Sequence, residues 1–381
     1  MCNGGPLNCS NRESGAQYSR YTPQRRMGGA APGEWMDARL QLLTRWVKQD
    51  LGLAGADIQP ASADASFRRY FRVRQAGRTC IVMDAPPDRE DVAPFLRVAR
   101  ILGEAGVNAP RVLEQDLQRG FLMLTDLGSE QYLGALEAAR SCGDSARIRA
   151  LFDDALACLL CMQRDARTAA AGLAAYDRGM LVREMDLLPE WFLERHLGLA
   201  VDAGVRAMLD QTWEVLVASA DEQPASFVHR DYHSRNLMVC DPGAPGILDF
   251  QDAVCGPVTY DLVSLLKDCY IAWPAPQVRN WVLDFRRRRV EAGMPAGRDE
   301  AQFIGWFDLM GLQRHIKVLG IFARLWYRDG KPGYLKDLPL VLHYARETAR
   351  AWPQVAAFSE FIEREVVPRF AEARARASAH P

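Results

Sequence analysis

Apolar and polar positions along the chain follow two rhythms, and the change between them falls near Gly128. Before it, short stretches alternate at period two. The segments 66–73 (SFRRYFRV) and 78–84 (RTCIVMD) read as strands joined by the turn-forming Gln75-Ala76-Gly77, and Pro86 and Pro87 end the second. A helical period covers about 92–105, and 111–115 and 121–126 are again strand-like. After Gly128, apolar residues recur at three- and four-residue spacing. They predict helices over 130–140, 146–166, 177–197, 202–220, 259–272, 275–292, 299–328, 336–350 and 354–376. One β interruption, 227–252, carries the densest polar sequence in the chain. The predicted fold class is α+β, with a small mixed β-sheet lobe over 36–126 and a large, mainly helical lobe over 127–381.

Ahead of the first helical pattern (DARLQLLTRWVKQDLGL), residues 1–35 are rich in Gly, Ser, Asn, Gln and Arg. Such a segment buries too little apolar surface to offset its ordering entropy, so a disordered extension is expected. The full chain, at 381 residues, exceeds what one compact core usually holds, in keeping with two lobes. A formal net charge of −1 gives no electrostatic reason to expect nucleic acid or an anionic membrane as partner. The nine cysteines are odd in number and scattered, which argues against a disulfide framework. Cys158 and Cys161 form a lone CxxC in an apolar helical run, with no second ligand pair at zinc spacing, and read as buried helix cysteines. No apolar run approaches the roughly 18 residues of a membrane span, and the first residues lack the apolar core of a secretory signal. A cytoplasmic protein, monomeric or weakly oligomeric, is expected.

The candidate chemistry sits in the β interruption. An apolar strand leads into His229-Arg230-Asp231-Tyr232-His233-Ser234-Arg235-Asn236, and an apolar strand leads out. Thirteen residues beyond Asn236, a second short strand ends in Asp249. Phosphoryl transfer needs a divalent cation against the phosphate charge, and Mg²⁺ is held by one or two oxygen side chains plus phosphates and water. Asn236 and Asp249 supply an amide oxygen and a carboxylate from adjacent strand ends. The acceptor hydroxyl must be oriented and relieved of its proton, and Asp231 meets that need. His229, Asp231 and Asn236 match the HRDxxxxN spacing of kinase catalytic loops.

With LDFQDAVCGPVTYDLVSLL (248–266), this segment resembles the aminoglycoside phosphotransferase and choline kinase superfamily. More closely, it is similar to bacterial anomeric sugar kinases, which phosphorylate N-acetylmuramate and N-acetylglucosamine at C1 during cell-wall recycling. The resemblance runs from about Met36 to the C-terminus and is most specific over 227–270. It implies a bilobal protein-kinase-like fold, ATP and Mg²⁺ as cofactors, and a small-molecule amino sugar as partner. It also implies roles: Asp231 as base, Asn236 and Asp249 on the metal, His229 bracing the loop, and Asp261 anchoring it.

The nucleotide side departs from the kinase pattern. The covering turn, 62–71, has no glycine, and the strand lysine is missing, with Met83 or Asp84 near its place. Ser66, Arg68 and Arg69 are the candidate phosphate contacts, because a guanidinium fork suits phosphate. Leu124 and Asp126 lie in a segment that resembles the hinge whose backbone bonds adenine. For the acceptor, Glu184 and Glu190 on one helix, His233 and Arg235 in the loop, and Arg314 in Gln313–Lys317 are the candidates. Core packing of Trp191 and a solvated face at Gln313–Lys317 are the plain alternatives. A cationic acceptor, such as an aminoglycoside or choline-like compound, would want acids to prevail there. A nucleotide-binding pseudokinase is the rival of another class, opposed by the intact Asp231, Asn236 and Asp249.

Overall fold

The structure, a computed structural model, describes residues 32–63, 67–240 and 244–379. The expected disordered extension, apart from its last residues, and Ser66 lie outside the described residues. The described residues divide into two compact units, one ending at Gly55 and one beginning at Ala56. In the first, α1 (Pro32–Arg45) runs into a wide turn, Trp46–Asp50.

The second unit opens with five antiparallel strands: β1 (Asp57–Ala63), β2 (Arg69–Gln75), β3 (Arg78–Asp84), β4 (Val112–Asp116) and β5 (Phe121–Thr125). Their order is β1-β2-β3-β5-β4. The strand β1 was not expected from the sequence. Pro60 argues against a central strand, and β1 is in fact an edge strand with an irregular register between Pro60 and Ser62. Helix α2 (Ala93–Glu104) sets Phe95, Val98, Ile101 and Leu102 into one apolar cluster with Met83, Leu122 and Leu124 of the sheet. That spacing is the apolar stripe of an amphipathic helix.

Helices then dominate: α3 (Tyr132–Ser141), α4 (Ser145–Asp165), α5 (Arg167–Ala170), α6 (Arg178–Met185) and α7 (Ala203–Asp221). Two short ribbons follow. Strand β6 (Ala225–Val228) pairs with β9 (Val254–Pro257), and β7 (Leu237–Met238) pairs with β8 (Gly246–Ile247). Then come α8 (Tyr260–Leu266), α9 (Ala275–Glu291), α10 (Glu300–Tyr327), α11 (Leu338–Ala351), α12 (Ala356–Phe361) and α13 (Val367–Ala379).

Two helix expectations need correction. The helix expected over 177–197 is α6 followed by wide turns over Leu188–His196, where Pro189 removes a backbone donor. The helix expected over 259–272 stops at Leu266, and Asp268 then accepts from the Tyr270 N–H (3.0 Å).

Helix α10 is 28 residues long and buried along most of its length, which identifies it as the central helix of this region. The solvated-face alternative for Gln313–Lys317 is therefore excluded, since all five residues are buried. Gly320 lets α10 approach closely: a Cβ there would lie 2.4 Å from the Leu187 carbonyl carbon. Trp191, Phe192 and Leu193 are core residues, as the plain alternative had it. Cys158 and Cys161 are half-buried free thiols on α4. No helix among the described residues is long and apolar enough to cross a membrane.

Candidate active site

The loop between β6 and β7 carries His229–Asn236, and Asp249 lies two residues beyond the end of β8. Both ribbons are too short to hold such a loop alone, so a set of buried acids holds it. Asp261 accepts from the N–H groups of His229 (2.7 Å) and Arg230 (3.0 Å). Burial pushes this acid up to about 7, against the pull of those two amides. Asp268 accepts from the Ser234 N–H (3.0 Å) and hydroxyl (2.5 Å). The loop thus hangs between two carboxylates contributed by and just after α8.

His229 is fully buried. Its Nε2 lies 3.0 Å from the Leu248 carbonyl, and the Asp231 N–H points at its Nδ1 (3.2 Å). One nitrogen therefore donates and the other accepts, which defines a neutral ring. Burial pushes its pKa down to about 4. His229 ties this loop to Leu248, just before Asp249, as a neutral ring that keeps its single proton on Nε2.

Asn236 donates Nδ2 to the Asp231 carbonyl (3.0 Å), and the same Nδ2 lies 3.5 Å from Asp249 Oδ2. Asp249 Oδ1 accepts from Gln251 Nε2 (2.8 Å). Arg230 (φ 78°) and Asp249 (φ 62°) are two of three non-glycine residues in the left-handed region among the described residues. Such strain persists only where surrounding contacts over-determine it, and here it falls on the residues flanking the transfer site. The pair offers one amide oxygen and one carboxylate. No group of three or more His, Cys, Asp or Glu suited to a metal occurs among the described residues. That donor set fits a cation shared with phosphates rather than one caged by protein.

Asp231 is partly exposed, its side chain 39% open to solvent. Burial works to raise its pKa, but Lys317, Arg314, His233 and Arg230 outweigh it and hold the carboxyl far below the ordinary range. Arg314 Nη1 stands 3.9 Å from Asp231 Oδ1 and donates to the Arg230 carbonyl (3.4 Å). Beneath the loop, Glu184 is buried and paired with Lys317 (3.1 Å) and Arg230, and it accepts from the Tyr176 hydroxyl. Removing one partner from such a buried pair costs about 3–5 kcal/mol, so Glu184 is committed to the protein. Its placement corrects the substrate expectation: it positions Arg230. Glu190 is corrected too. It is exposed and faces Arg324, ten residues along α10 from Arg314, or about 15 Å of helix. His233 packs its ring against Tyr270 (5.3 Å), and its Nδ1 is buried without a hydrogen-bond partner among the described residues.

Next to Asn236 and Asp249 opens a cavity of about 530 Å³. Ile81, Phe95, Leu124, Met238, Leu248 and Phe250 give it apolar walls; Arg235, Asn236 and Asp249 lie at its polar end. Strand alternation decides which arginines reach it. Phe71 and Val73 of β2 face the core, so Tyr70 and Arg72 face the cavity. Arg69 shares the face of Phe71, pairs with the fully buried Asp84 and does not line the cavity, which corrects its expected phosphate role. Arg68 pairs with Glu90 (3.2 Å), and its charge is felt at Asp249. Leu124 lines the cavity, and the Asp126 carboxylate is taken by Arg72 through Nε (2.7 Å) and Nη2 (3.0 Å). Arg72 also reaches the Gly128 carbonyl (2.6 Å). Arg72 was missed in the sequence; period-two counting from Phe71 would have found it.

An apolar slot, a strained acid and amide at its polar end, and an open carboxylate on a braced loop define a phosphotransferase of the protein-kinase-like class. Residues 57–303 match the phosphotransferase enzyme family, and the chain belongs to that family. It is an ATP-dependent phosphotransferase. The N-acetylmuramate/N-acetylglucosamine kinase of Pseudomonas aeruginosa is 43% identical over 347 residues, 88% of this chain and 99% of that protein. The enzyme so named from Pseudomonas putida is 43% identical over 86% of this chain and 96% of its own length. Among solved structures, the ADP-bound aminoglycoside phosphotransferase APH(2'')-Ib superposes with a TM-score of 0.51 at 14% identity. That match covers 82% of this chain and 98% of the other and concerns the fold.

Proposed function

We propose that the chain transfers the γ-phosphoryl of ATP to the anomeric hydroxyl of an amino sugar, N-acetylmuramate or N-acetylglucosamine, in peptidoglycan recycling. The observation that carries the acceptor class is the balance of charge around Asp231. A cationic aminoglycoside or choline-like compound would need free acids. Glu184 is paired with Lys317 and Arg230. Asp186 accepts from Arg206 (2.9 Å) and Trp213 (3.0 Å), and Glu190 lies elsewhere. Arg235 and Arg314 remain near the loop, so a neutral or anionic acceptor is favoured. Identity above 40% to the two named sugar kinases supports the same class.

Mg²⁺ would be held by Asn236 Oδ1 and Asp249, where it neutralises charge on the transferred group. Asp231 orients the hydroxyl and accepts its proton. Its carboxyl is a weak base, which suits an acceptor hydroxyl more acidic than an ordinary alcohol and a reaction driven by positioning and charge neutralisation. The adenine ring would lie in the apolar slot by Leu124.

The test is ADP release with N-acetylmuramate, N-acetylglucosamine, an aminoglycoside and choline. The two sugars are expected to turn over. Asp231→Asn should lower kcat by about 10²–10⁴-fold while nucleotide-induced thermal stabilisation persists. Turnover of the cationic acceptors alone, or near-normal turnover by Asp231→Asn, would sink the proposal.

A further inference from the structure

The arginines around the transfer site differ in what holds them. Arg72 is gripped by Asp126, Arg68 by Glu90 and Arg230 by Glu184, and Arg314 lies at the rim of Asp231. Arg235 is held otherwise. Its guanidinium lies 3.6 Å over the Tyr270 ring, which itself stacks on Phe322 (6.3 Å) and takes the edge of His233 (5.3 Å). Its backbone is pinned, since the Arg235 carbonyl accepts from Gln131 Nε2 (2.8 Å). Its guanidinium makes no hydrogen bond or ion pair with another described residue, although it lines the cavity with Asn236 and Asp249. Asp337, the acid on which its charge acts, leaves Oδ2 buried without a hydrogen-bond partner instead of taking the fork. Stacking therefore fixes the plane of the guanidinium and leaves its donating edge uncommitted, the arrangement that binds a planar or tetrahedral oxyanion through two parallel bonds.

We infer that Arg235 is an oxyanion-binding residue at the transfer end of the cleft. Two ligands present that chemistry there: a carboxylate on the acceptor sugar and the oxygens of the transferred phosphoryl group. The first source rests on the sugar-kinase reading above and would make Arg235 a specificity determinant for the carboxylated sugar.

The experiment measures kcat/KM for N-acetylmuramate, which bears a carboxylate, and for N-acetylglucosamine, which does not, together with the KM for ATP. Parent, Arg235→Met and Arg235→Lys are compared. With the carboxylated acceptor, Arg235→Met is expected to lose about 10–100-fold, and with the uncarboxylated one less than about threefold. Arg235→Lys should recover part of the loss, because an ammonium keeps the charge but not the stacked fork. Equal losses with both sugars and a raised KM for ATP would assign the same residue to the phosphoryl oxygens. Unchanged values with both sugars and for ATP overturn the inference, and Arg235→Lys decides if Arg235→Met does not fold. A parent chain silent on both sugars defeats the sugar reading instead, and the KM of slow ATP hydrolysis in the variants then still decides the role of Arg235.

Discussion

His315, on α10, is fully buried, with Nε2 against the Lys267 carbonyl (3.2 Å) and its ring stacked on Tyr344 (5.0 Å). Burial pushes its pKa down to about 3, and His229 is pushed to about 4. In the unfolded chain both rings titrate near 6.5. Below that pH the unfolded state binds protons that the native state refuses, so the stability they contribute is present above 6.5 and is lost as pH falls toward the folded values. Each ring should cost about 2–3 kcal/mol between pH 6.5 and about pH 4.5. Urea unfolding across that window checks this. His315→Gln, which can still donate to the Lys267 carbonyl, should flatten the slope by one proton's worth, and an unchanged slope would refute it. At the same scale, Asp231, Asn236 and Asp249 were legible in the sequence because local spacing sets their relation. Glu184 and Lys317 were not. Their pairing joins α6 to α10 across more than a hundred residues, and nothing local announces it.

Elements place these residues by how closely they approach. Helix α10 can set Arg314 and Lys317 under the loop because Gly320 passes against the backbone at Leu187. Gly320→Ala would drive a Cβ to 2.6 Å from the Leu187 carbonyl oxygen, and neither backbone can yield cheaply. The expected cost is about 1–3 kcal/mol, as for overpacking, with a fall in kcat as α10 shifts beneath Arg230 and Asp231. Calorimetry and turnover on one sample check it; a Tm and kcat within error of the parent would show the contact to be slack. Element positions were largely readable from period, from β2 through α13. The exceptions have physical causes: Pro60 hid the edge strand β1, and Pro189 divided one apparent helix into α6 and a wide-turned segment.

For the whole molecule, the cleft joins sheet residues such as Ile81 and Leu124 to loop residues Asn236 and Asp249, so ligand binding couples regions that are distant in sequence. A nucleotide that binds only the folded chain should stabilise it by about 2.7 kcal/mol at a hundredfold excess over Kd. ATP should raise Tm, more so with Mg²⁺. Asp249→Asn should retain the shift given by ATP alone and lose the extra shift given by Mg²⁺, and a full Mg²⁺ increment in that variant would remove Asp249 from the metal.

By itself the sequence determined the α+β class, most of the elements and the acid–amide–acid set proposed for phosphoryl transfer, because those depend on periodicity and on short fixed spacings along one chain. Tertiary structure alone decided which charges are already spent. Arg69 belongs to Asp84, Asp126 to Arg72 and Glu184 to Lys317 and Arg230, whereas Arg235 rests on a ring with its donors uncommitted. An ion pair depends on two side chains meeting at a few ångströms, and only the packed fold brings such partners together.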